Sequence, residues 1–276
     1  MPELPEVEQV RISLLPHITG KTIEKVRVDL PKMILHPDPG TFVQKLQGAR
    51  FTGVERRGKY LRLDLEKGDW LLIHLRMTGA LLALPKTAPE PPHTRMAFYL
   101  SGDENLYFSD IRTFGVAALV GEDEWKDKGY ESLGPEPLDP VLTPEYLREK
   151  ARGKTAVVKA FILDQTIIAG LGNIYADEAL FAAGIRPTRR VNRMTRKDWE
   201  ALALAIKGVI RQGLEHHGTT FRNYQDADGH MGDNSLYLQV YHRKGLPCKH
   251  CGTLLKQIKA AGAVFTVPGV RNKEEP

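Results

Sequence analysis

Residues 133–140 hold three prolines and one glycine within eight positions. Proline has no backbone N–H to give to a helix or a sheet, so neither element continues through such a segment. We therefore predict a domain boundary here. The predicted divisions are an N-terminal domain over 1–130, a linker over 131–144, a helical domain over 145–235 and a C-terminal β-hairpin over 236–276.

The region before this boundary is rich in strand patterns that follow one N-terminal helix over the first fifteen residues. Residues 60–66 alternate apolar and polar side chains strictly, as a half-buried antiparallel strand does. Further short strands are predicted at 70–75, 96–100, 106–108 and 116–120. Six to eight closely spaced strands favour a β-sandwich or a barrel.

The region after the boundary is predominantly helical in pattern. Thr143 and Pro144 open a helix as N-cap and first-turn proline, and Thr195 caps a long helix over 196–212. Other helices are predicted at 155–163 and 174–183, followed by a polar loop over 219–235 and strands at 236–241 and 254–259. The whole chain is thus predicted to be an α+β protein.

Charge is distributed unevenly along the chain, whose net charge is +5. Residues 1–150 carry 20 Lys+Arg and 23 Asp+Glu, whereas residues 151–276 carry 19 and 11, which gives −3 and +8. A basic C-terminal half is typical of a protein that binds a polyanion such as nucleic acid, although an ordinary solvated surface explains it equally well.

The composition is 42% hydrophobic and 26% charged, which excludes disordered and collagen-like chains. No apolar run is long enough to predict a membrane span. The acidic start of the chain is unlike a secretory signal, so we expect a cytoplasmic protein.

The first residues offer a nucleophile and two carboxylates. Removal of Met1 would leave Pro2 as a secondary amine, and an α-amino group titrates near ~7.7–8.0, so a useful fraction is unprotonated at neutral pH. Such an amine can attack a sugar aldehyde carbon and form an iminium. Glu3 and Glu6 lie on one side of the following helix and could transfer protons. Alternatively, they simply complement the helix dipole.

Cys248 and Cys251 are the two cysteines of the chain and form a C-x-x-C pair. Their spacing indicates a metal or redox pair, but two thiolates supply only half of a tetrahedral zinc site. No βαβ pattern surrounds them, which argues against a thioredoxin-like role.

Motifs in order along almost the whole chain resemble the formamidopyrimidine-DNA glycosylase family, whose members are related to endonuclease VIII. They are P-E-L-P-E-V-E at 2–8, R-R-G-K-Y-L at 56–61, H-L-R-M-T-G at 74–79, D-I-R-T-F-G at 110–115, L-G-P-E-P-L at 133–138, A-G-L-G-N-I-Y-A-D-E at 169–178, G-T-T at 218–220 and V-Y-H-R-K-G-L-P-C-x-x-C-G at 240–252. The first motif and the one that ends in Asp177 and Glu178 are highly specific.

The resemblance implies a monomeric base-excision repair enzyme that acts on damaged double-stranded DNA. Pro2 would attack C1′ of the damaged nucleoside, and Glu3 would act as the acid. Glu6 would support proton transfer and water positioning, and Lys59 would assist β-elimination. No metal or redox cofactor is needed for these steps. The implied fold is a β-sandwich domain joined to a helix–two-turn–helix domain and a zinc-binding hairpin.

The resemblance also implies DNA contacts. Met77, Arg112 and Phe114 match the residues that enter the duplex where the base has left, with Arg112 facing the orphaned cytosine. The phosphate contacts would come from His74, His93, Lys154 and Asn173. From the residues alone, His74 could be a buried structural histidine and His93 a surface residue, and a core Phe114 with a surface Arg112 is the commoner explanation of that pair.

The C-terminus departs from the family pattern. The family has a second C-x-x-C pair and a glycine-flanked arginine where this sequence has residues 262–270, and the arginine position is Ala263. We therefore expect no ordinary zinc binding at Cys248 and Cys251, and impaired δ-elimination. His242 or His250 could be recruited, but His250 lies inside the C-x-x-C pair. A local frame slip in the gene would restore both features, and resequencing tests it.

Two other functions are compatible with these residues. An endonuclease VIII-like enzyme would remove oxidised pyrimidines, but the presence of Met77, Arg112 and Phe114 argues against it. A non-catalytic DNA-binding relative would not be expected to retain Pro2 and Lys59. Oxidised purines, namely 8-oxoguanine and formamidopyrimidines, are the predicted substrates.

Overall fold

The computed structural model describes residues 1–121, 130–259 and 263–266. The chain forms two compact units. The first contains Met1–Glu131 and His216–Ser235, and the second contains Ser132–Glu215 and Leu236–Pro276. The predicted divisions differ from these units at 216–235, which the sequence analysis assigned to the helical domain.

The first unit contains two helices and nine named strands among its described residues. They are α1 (Leu4–Ile18), β1 (Ile23–Val28), β2 (Ile34–His36), α2 (Pro39–Leu46), β3 (Phe51–Arg57), β4 (Tyr60–Leu65), β5 (Trp70–His74), β6 (Gly79–Pro85), β7 (Thr94–Leu100), β8 (Glu104–Asp110) and β9 (Val116–Val120). The predicted N-terminal helix and the predicted strands near 60–66, 70–75 and 116–120 are confirmed.

The strands form two sheets, with the orders β1-β7-β8-β6 and β2-β9-β5-β4-β3. All pairs are antiparallel except β2 with β9. Apolar side chains from both sheets and from α1 share one buried core, for example Leu14, Leu61, Ile73, Phe98 and Phe108. The predicted sandwich is confirmed, because each sheet buries one face against the other layer.

Residues 216–235 belong to the first unit because they exchange backbone hydrogen bonds with its elements. The Ala83 N–H donates to the Ala227 carbonyl at 3.0 Å, and the Ala227 N–H donates to Ser13 Oγ at 3.0 Å. Ala227 is fully buried in the same core. A glycine-rich loop with little apolar patterning gives no sequence signal for such a long-range attachment.

The second unit contains four helices and one described hairpin. They are α3 (Pro144–Ala151), α4 (Val158–Leu163), α5 (Asn173–Ala182), α6 (Arg196–Glu215), β10 (Lys256–Lys259) and β11 (Ala263–Thr266). Thr143 caps α3 as predicted, since its side chain accepts the Tyr146 N–H at 3.1 Å. The last two strands pair antiparallel with Ile258 opposite Val264. Among the described residues, no helix has the length and apolar character needed to cross a bilayer.

The predicted strand at 236–241 is wrong. A short 3-10 helix, Asn234–Leu236, and turns occupy this stretch. The reason is Glu178 on α5, whose buried carboxylate accepts the N–H groups of Gln239, Val240 and Tyr241 at 2.8, 2.9 and 2.8 Å. In a β-strand, successive backbone N–H groups point to opposite sides, toward the two adjacent strands. Here three successive N–H groups point to the same carboxylate, so the segment cannot be a strand.

Candidate active site and its surroundings

The two predicted acids, Glu3 and Glu6, lie at the start of helix α1, Glu3 as its N-cap and Glu6 in its first turn. Glu3 and Glu6 form a capping box, in which the Glu3 N–H donates to Glu6 Oε2 at 2.7 Å. Both side chains are 1% exposed. The second oxygen of Glu6 accepts the Thr219 N–H at 2.6 Å. Two backbone N–H groups therefore hold the Glu6 carboxylate in one orientation.

The tyrosine that lies over this helix start was not identified from the sequence. The Tyr224 hydroxyl lies 3.2 Å from the carbonyl oxygens of Glu6 and His217, either of which can accept its proton. Burial raises the pKa of Tyr224, and the carboxylates of Glu6 and Asp226 raise it further. Tyr224 thus stays a neutral donor that ties the 216–235 loop to α1.

Pro2 lies immediately before this acidic turn and is buried, while the Met1 residue ahead of it is 45% exposed. The position puts the predicted nucleophile one peptide bond from Glu3. Pro5 occupies the first turn of α1, where its missing N–H costs no hydrogen bond.

Lys59 is presented by the tight turn between β3 and β4. Arg57 pairs with Tyr60, so Gly58 and Lys59 form a two-residue hairpin loop. Gly58 has a φ of +57°, whereas the φ of Lys59 is not positive, as in a type II′ turn. Lys59 is only 8% exposed. Burial lowers its pKa, the carboxylates of Glu3 and Glu6 partly oppose this, and Arg76 adds to it.

The lowered pKa has a chemical consequence. A lysine whose ammonium form is disfavoured by burial supplies a neutral amine more readily at physiological pH, which is what a base requires. The carboxylates of Glu3 and Glu6 are close enough to Lys59 to affect its pKa. The structure thus brings together the predicted catalytic residues Glu3, Glu6 and Lys59.

His74 ends β5 beside this group. Burial lowers its pKa to about 3, with further contributions from Arg76 and Lys59, so the ring is neutral. Its Nδ1 accepts the Arg76 N–H at 3.0 Å. The proton must therefore be on Nε2, which is left as a hydrogen-bond donor. The Tyr60 ring packs edge-on against the imidazole at 4.7 Å and fixes its plane.

Met77, Arg112 and Phe114 form one exposed group, which we call the tip. The Arg112 Nη1 lies 3.1 Å from Met77 Sδ, and the guanidinium lies 4.7 Å from the centre of the Phe114 ring. Met77 and Phe114 are 41% and 50% exposed. Large apolar side chains left in water at adjoining turns are typical of a contact surface.

The remaining predicted contact residues are His93 in the first unit and Lys154 and Asn173 in the second. His93 is exposed with a φ of +62°. Lys154 is exposed beyond the end of α3, and Asn173 is the first residue of α5. The turn before α5 is held by Gln165, which accepts the Gly170 N–H at 2.9 Å and donates to the Leu171 carbonyl at 2.8 Å. A glycine-containing turn thus joins α4 to α5.

The cysteine pair supplies two sulfur atoms, half of the ligands of a tetrahedral zinc site. Cys248 is buried and accepts the His250 N–H at 3.4 Å, whereas Cys251 is exposed and donates to Thr253 Oγ1 at 3.4 Å. The side-chain hydrogen bond with Thr253 is the main cause that lowers the pKa of Cys251. Among the described residues, the one group of three potential metal ligands is elsewhere, at Asp226, Asp228 and His230. Positions 267–270, where the second cysteine pair is expected, lie outside the described residues.

Two family models match this chain. The N-terminal domain model of formamidopyrimidine-DNA glycosylase matches residues 1–117, and the H2TH domain model of the same family matches residues 133–225. The formamidopyrimidine-DNA glycosylase of Symbiobacterium thermophilum is 44% identical over 95% of this chain and 86% of that protein. The protein of the same name from Desulforamulus reducens is 43% identical over 95% of both chains.

Solved structures of this family match almost the whole length of the chain. A Lactococcus lactis FPG mutant in complex with a Fapy-dG containing DNA has a TM-score of 0.92 at 33% identity and covers 99% of this chain and 100% of its own. A structure of MutM in complex with carbocyclic 8-oxo-G containing DNA has a TM-score of 0.91 at the same identity and coverage. Sequence and structure agree, and this chain belongs to the formamidopyrimidine-DNA glycosylase family.

Proposed function

We propose that this chain removes oxidised purines, namely 8-oxoguanine and formamidopyrimidines, from duplex DNA and then cleaves the strand at the abasic site. The observation that carries the proposal is a buried group in which Lys59 is electrostatically coupled to the carboxylates of Glu3 and Glu6, the first of which follows Pro2 directly in the chain. This chemistry requires an amine nucleophile, a proton-donating acid and a base, and a lysine with a lowered pKa can act as the base.

The first chemical step joins Pro2 to the sugar. After Met1 has been removed, the Pro2 nitrogen bonds to C1′ while the glycosidic bond breaks and its electron pair leaves with the base. The proton that the Pro2 nitrogen gives up neutralises the departing base. Glu3 donates a second proton to the ring oxygen as the bond between C1′ and that oxygen breaks, which gives an iminium between Pro2 and the sugar. The step needs no metal or redox partner, because only protons are transferred besides the base and C1′ keeps its oxidation level.

The second step breaks the strand. The iminium acidifies the 2′ proton, and a base removes that proton as the C3′–O bond breaks and the 3′ phosphate leaves. Neutral Lys59 is suited to this role because burial disfavours its charged form. Water then hydrolyses the iminium, which releases the unsaturated sugar and restores the Pro2 amine. We propose that δ-elimination is weak, because Ala263 stands at the family's arginine position.

A base inside a duplex must leave the stack before Pro2 can reach its sugar. The exposed tip of Met77, Arg112 and Phe114 is suited to fill the gap and to offset part of the unstacking cost. A guanidinium held against an aromatic ring can still donate to a base edge. The +8 charge of residues 151–276 supports phosphate contacts by Lys154 and its neighbours.

Oxidised pyrimidines are the alternative substrates, as in endonuclease VIII-like enzymes. The tip favours the purine assignment, since Arg112 carries the donors that an orphaned cytosine can accept. Excision rates measured on matched duplexes with 8-oxoguanine or an oxidised thymine distinguish the two. We further propose that the protein acts as a monomer in the cytoplasm, and that its cysteine pair holds no zinc.

Borohydride trapping tests the proposed chemistry. The wild-type protein, with Met1 removal checked by mass spectrometry, is mixed with duplex DNA containing 8-oxoguanine opposite cytosine and reduced. We expect a covalent adduct at Pro2 with the wild type and a lower adduct yield with Pro2→Gly, whose N-terminal amine is primary and can still form an imine. The exposed variant Lys45→Ala is the control and should trap as the wild type does. Failure of the intact wild type to form an adduct would overturn the proposal.

A further inference from the structure

Asp110, the last residue of β8, is fully buried and binds both loops that carry the tip. Its Oδ1 accepts the Thr78 hydroxyl and, at 3.1 Å, the Arg112 N–H. Its Oδ2 accepts the Gly115 N–H at 2.7 Å. One carboxylate thus takes three donors, one from the Met77 loop and two that bracket Arg112 and Phe114.

The backbone of Asp110 is fixed as well. Its N–H donates to the His93 carbonyl at 3.0 Å, and its carbonyl accepts the Arg95 Nε–H at 3.0 Å. Thr78 closes the arrangement, because its Oγ1 also accepts the Arg112 N–H at 3.1 Å. The carboxylate therefore has little freedom to move independently of the two loops.

Both loops need such support because each contains a strained residue. Arg76 and Thr113 have φ values of +55° and +57°, a region that side-chain-bearing residues adopt at a cost. The glycines at the loop ends fit tightly, since a Cβ on Gly79 would lie 2.5 Å from the Leu75 carbonyl oxygen, and one on Gly115 would lie 2.6 Å from the Phe108 ring. Strain of this kind persists where surrounding contacts over-determine the backbone.

We propose that Asp110 is a positioning residue that couples the Met77 loop to the Arg112–Phe114 loop, so that the three tip side chains enter the duplex as one unit. The inference rests on the proposed function, because it concerns how that function reaches a stacked base. It extends that function by assigning the preorganisation of the tip to a buried residue that is not itself part of the tip. Preorganised groups lose less entropy when they engage.

Asp110→Asn is the sharpest variant, because it preserves shape while removing one acceptor. An amide has one oxygen and one NH₂ group. Whichever way it is turned, the NH₂ faces either the Gly115 N–H or the Thr78 and Arg112 donors, so at least one donor loses its partner. Asp103→Asn is the matched control, since Asp103 is exposed at the opposite end of the β7–β8 hairpin.

Two substrates separate positioning from folding. The first is duplex DNA with 8-oxoguanine opposite cytosine or adenine, which requires the tip. The second is a preformed abasic site in single-stranded DNA, which requires Pro2 and Lys59 but no unstacking. For Asp110→Asn we expect single-turnover excision from the duplex to fall about tenfold or more, cytosine-over-adenine discrimination to shrink, and single-strand cleavage to stay within about twofold.

Thr78 provides the rescue test. Thr78→Val removes the hydroxyl and should reproduce part of the loss of duplex excision. Thr78→Ser keeps the hydroxyl and should excise from the duplex at the wild-type rate. Wild-type duplex kinetics and discrimination in Asp110→Asn, or an equal loss on both substrates, would overturn the coupling. If the wild type itself acts on neither substrate, the proposed function has failed, and this outcome removes the basis of the inference.

Discussion

The Thr219 backbone N–H donates to the Glu6 carboxylate at 2.6 Å, although 213 positions separate the two residues along the chain. The same carboxylate accepts the Glu3 N–H, so Glu6 binds the 216–235 loop to the helix that carries the predicted acid. This double attachment gives Glu6 a positioning role in addition to the proton-transfer role implied by the family resemblance.

Glu6→Gln tests this attachment. A glutamine must turn its NH₂ toward either the Glu3 or the Thr219 N–H, which leaves a buried donor unpaired and should cost about 1–3 kcal/mol of unfolding free energy. Urea unfolding and amide exchange measure it, with faster exchange expected at 217–220. Glu24→Gln on β1 is the control, because Glu24 is 55% exposed at its side chain. Unchanged exchange in Glu6→Gln would show that the loop is held by other contacts.

Lys59→Met tests the buried lysine through the pH dependence of stability. Because burial lowers the folded-state pKa below the usual 10.5, the unfolded chain binds more protons than the folded chain between these two values. Lys59 therefore destabilises the wild type most at pH below its folded-state pKa, and the penalty fades as the pH rises toward 10.5. We expect Lys59→Met to unfold at a higher temperature than the wild type near pH 7, with a gap that narrows by pH 10.

The control for this experiment is Lys45→Met, since Lys45 is half exposed and should show no such pH-dependent gap. A constant difference between Lys59→Met and the wild type from pH 7 to 10 would contradict the lowered pKa. In activity assays, Lys59→Met should retain adduct formation at Pro2 while strand cleavage slows.

The cysteine pair can be tested by metal analysis. Two sulfur ligands leave zinc two ligands short of a tetrahedral site, so purified protein should hold far less than one zinc ion per chain. Chelator should leave the melting temperature unchanged, and Cys248→Ser with Cys251→Ser should bind duplex DNA as the wild type does. Stoichiometric zinc that is lost in the double variant would show that further side chains, such as His242 or His250, complete the site.

The sequence predicts β4 from its alternation and β5 and β9 from short apolar runs, although most residues of β5 and β9 are buried. The alternation at 60–66 corresponds to β4, whose side chains are alternately half-buried and buried. Strand β6 shows no alternation, because its first five residues are all buried, and it was not predicted. Residues 236–241 resemble a strand, but their N–H groups belong to Glu178 on α5, a tertiary contact that no local pattern reveals.

The site, like the fold, was predictable where its residues are close in sequence and not where they come from distant segments. Pro2, Glu3 and Glu6 lie close together in sequence at the start of α1, with Glu3 as its N-cap, so their meeting follows from local geometry. The residues that orient them, Thr219 and Tyr224, come from a loop more than 200 positions away. Asp110 lay inside a recognised motif, yet only the fold shows that its carboxylate holds two loops together.

His74 gives the prediction with the most direct readout. Its pKa of about 3 means that the folded protein does not take up the proton that the unfolded chain binds below about pH 6.5. Stability is therefore lost as the pH falls through this window, at a rate that approaches about 1.4 kcal/mol per pH unit. Urea unfolding at pH 7, 6, 5 and 4.5 should show a shallower decline for His74→Gln than for the wild type.

The matched control is His93→Gln, because His93 is exposed and its replacement should leave the wild-type pH dependence intact. Nitrogen chemical shifts provide the second measurement, since the Arg76 N–H occupies Nδ1 and requires the neutral ring to carry its proton on Nε2 from pH 5 to 8. A His74 ring that titrates near pH 6.5, or one protonated on Nδ1, would contradict the buried neutral state. A ring held in this tautomer keeps Nε2–H as a fixed donor, so its hydrogen bond to a phosphate oxygen would be preorganised but would lack the positive charge of an imidazolium donor.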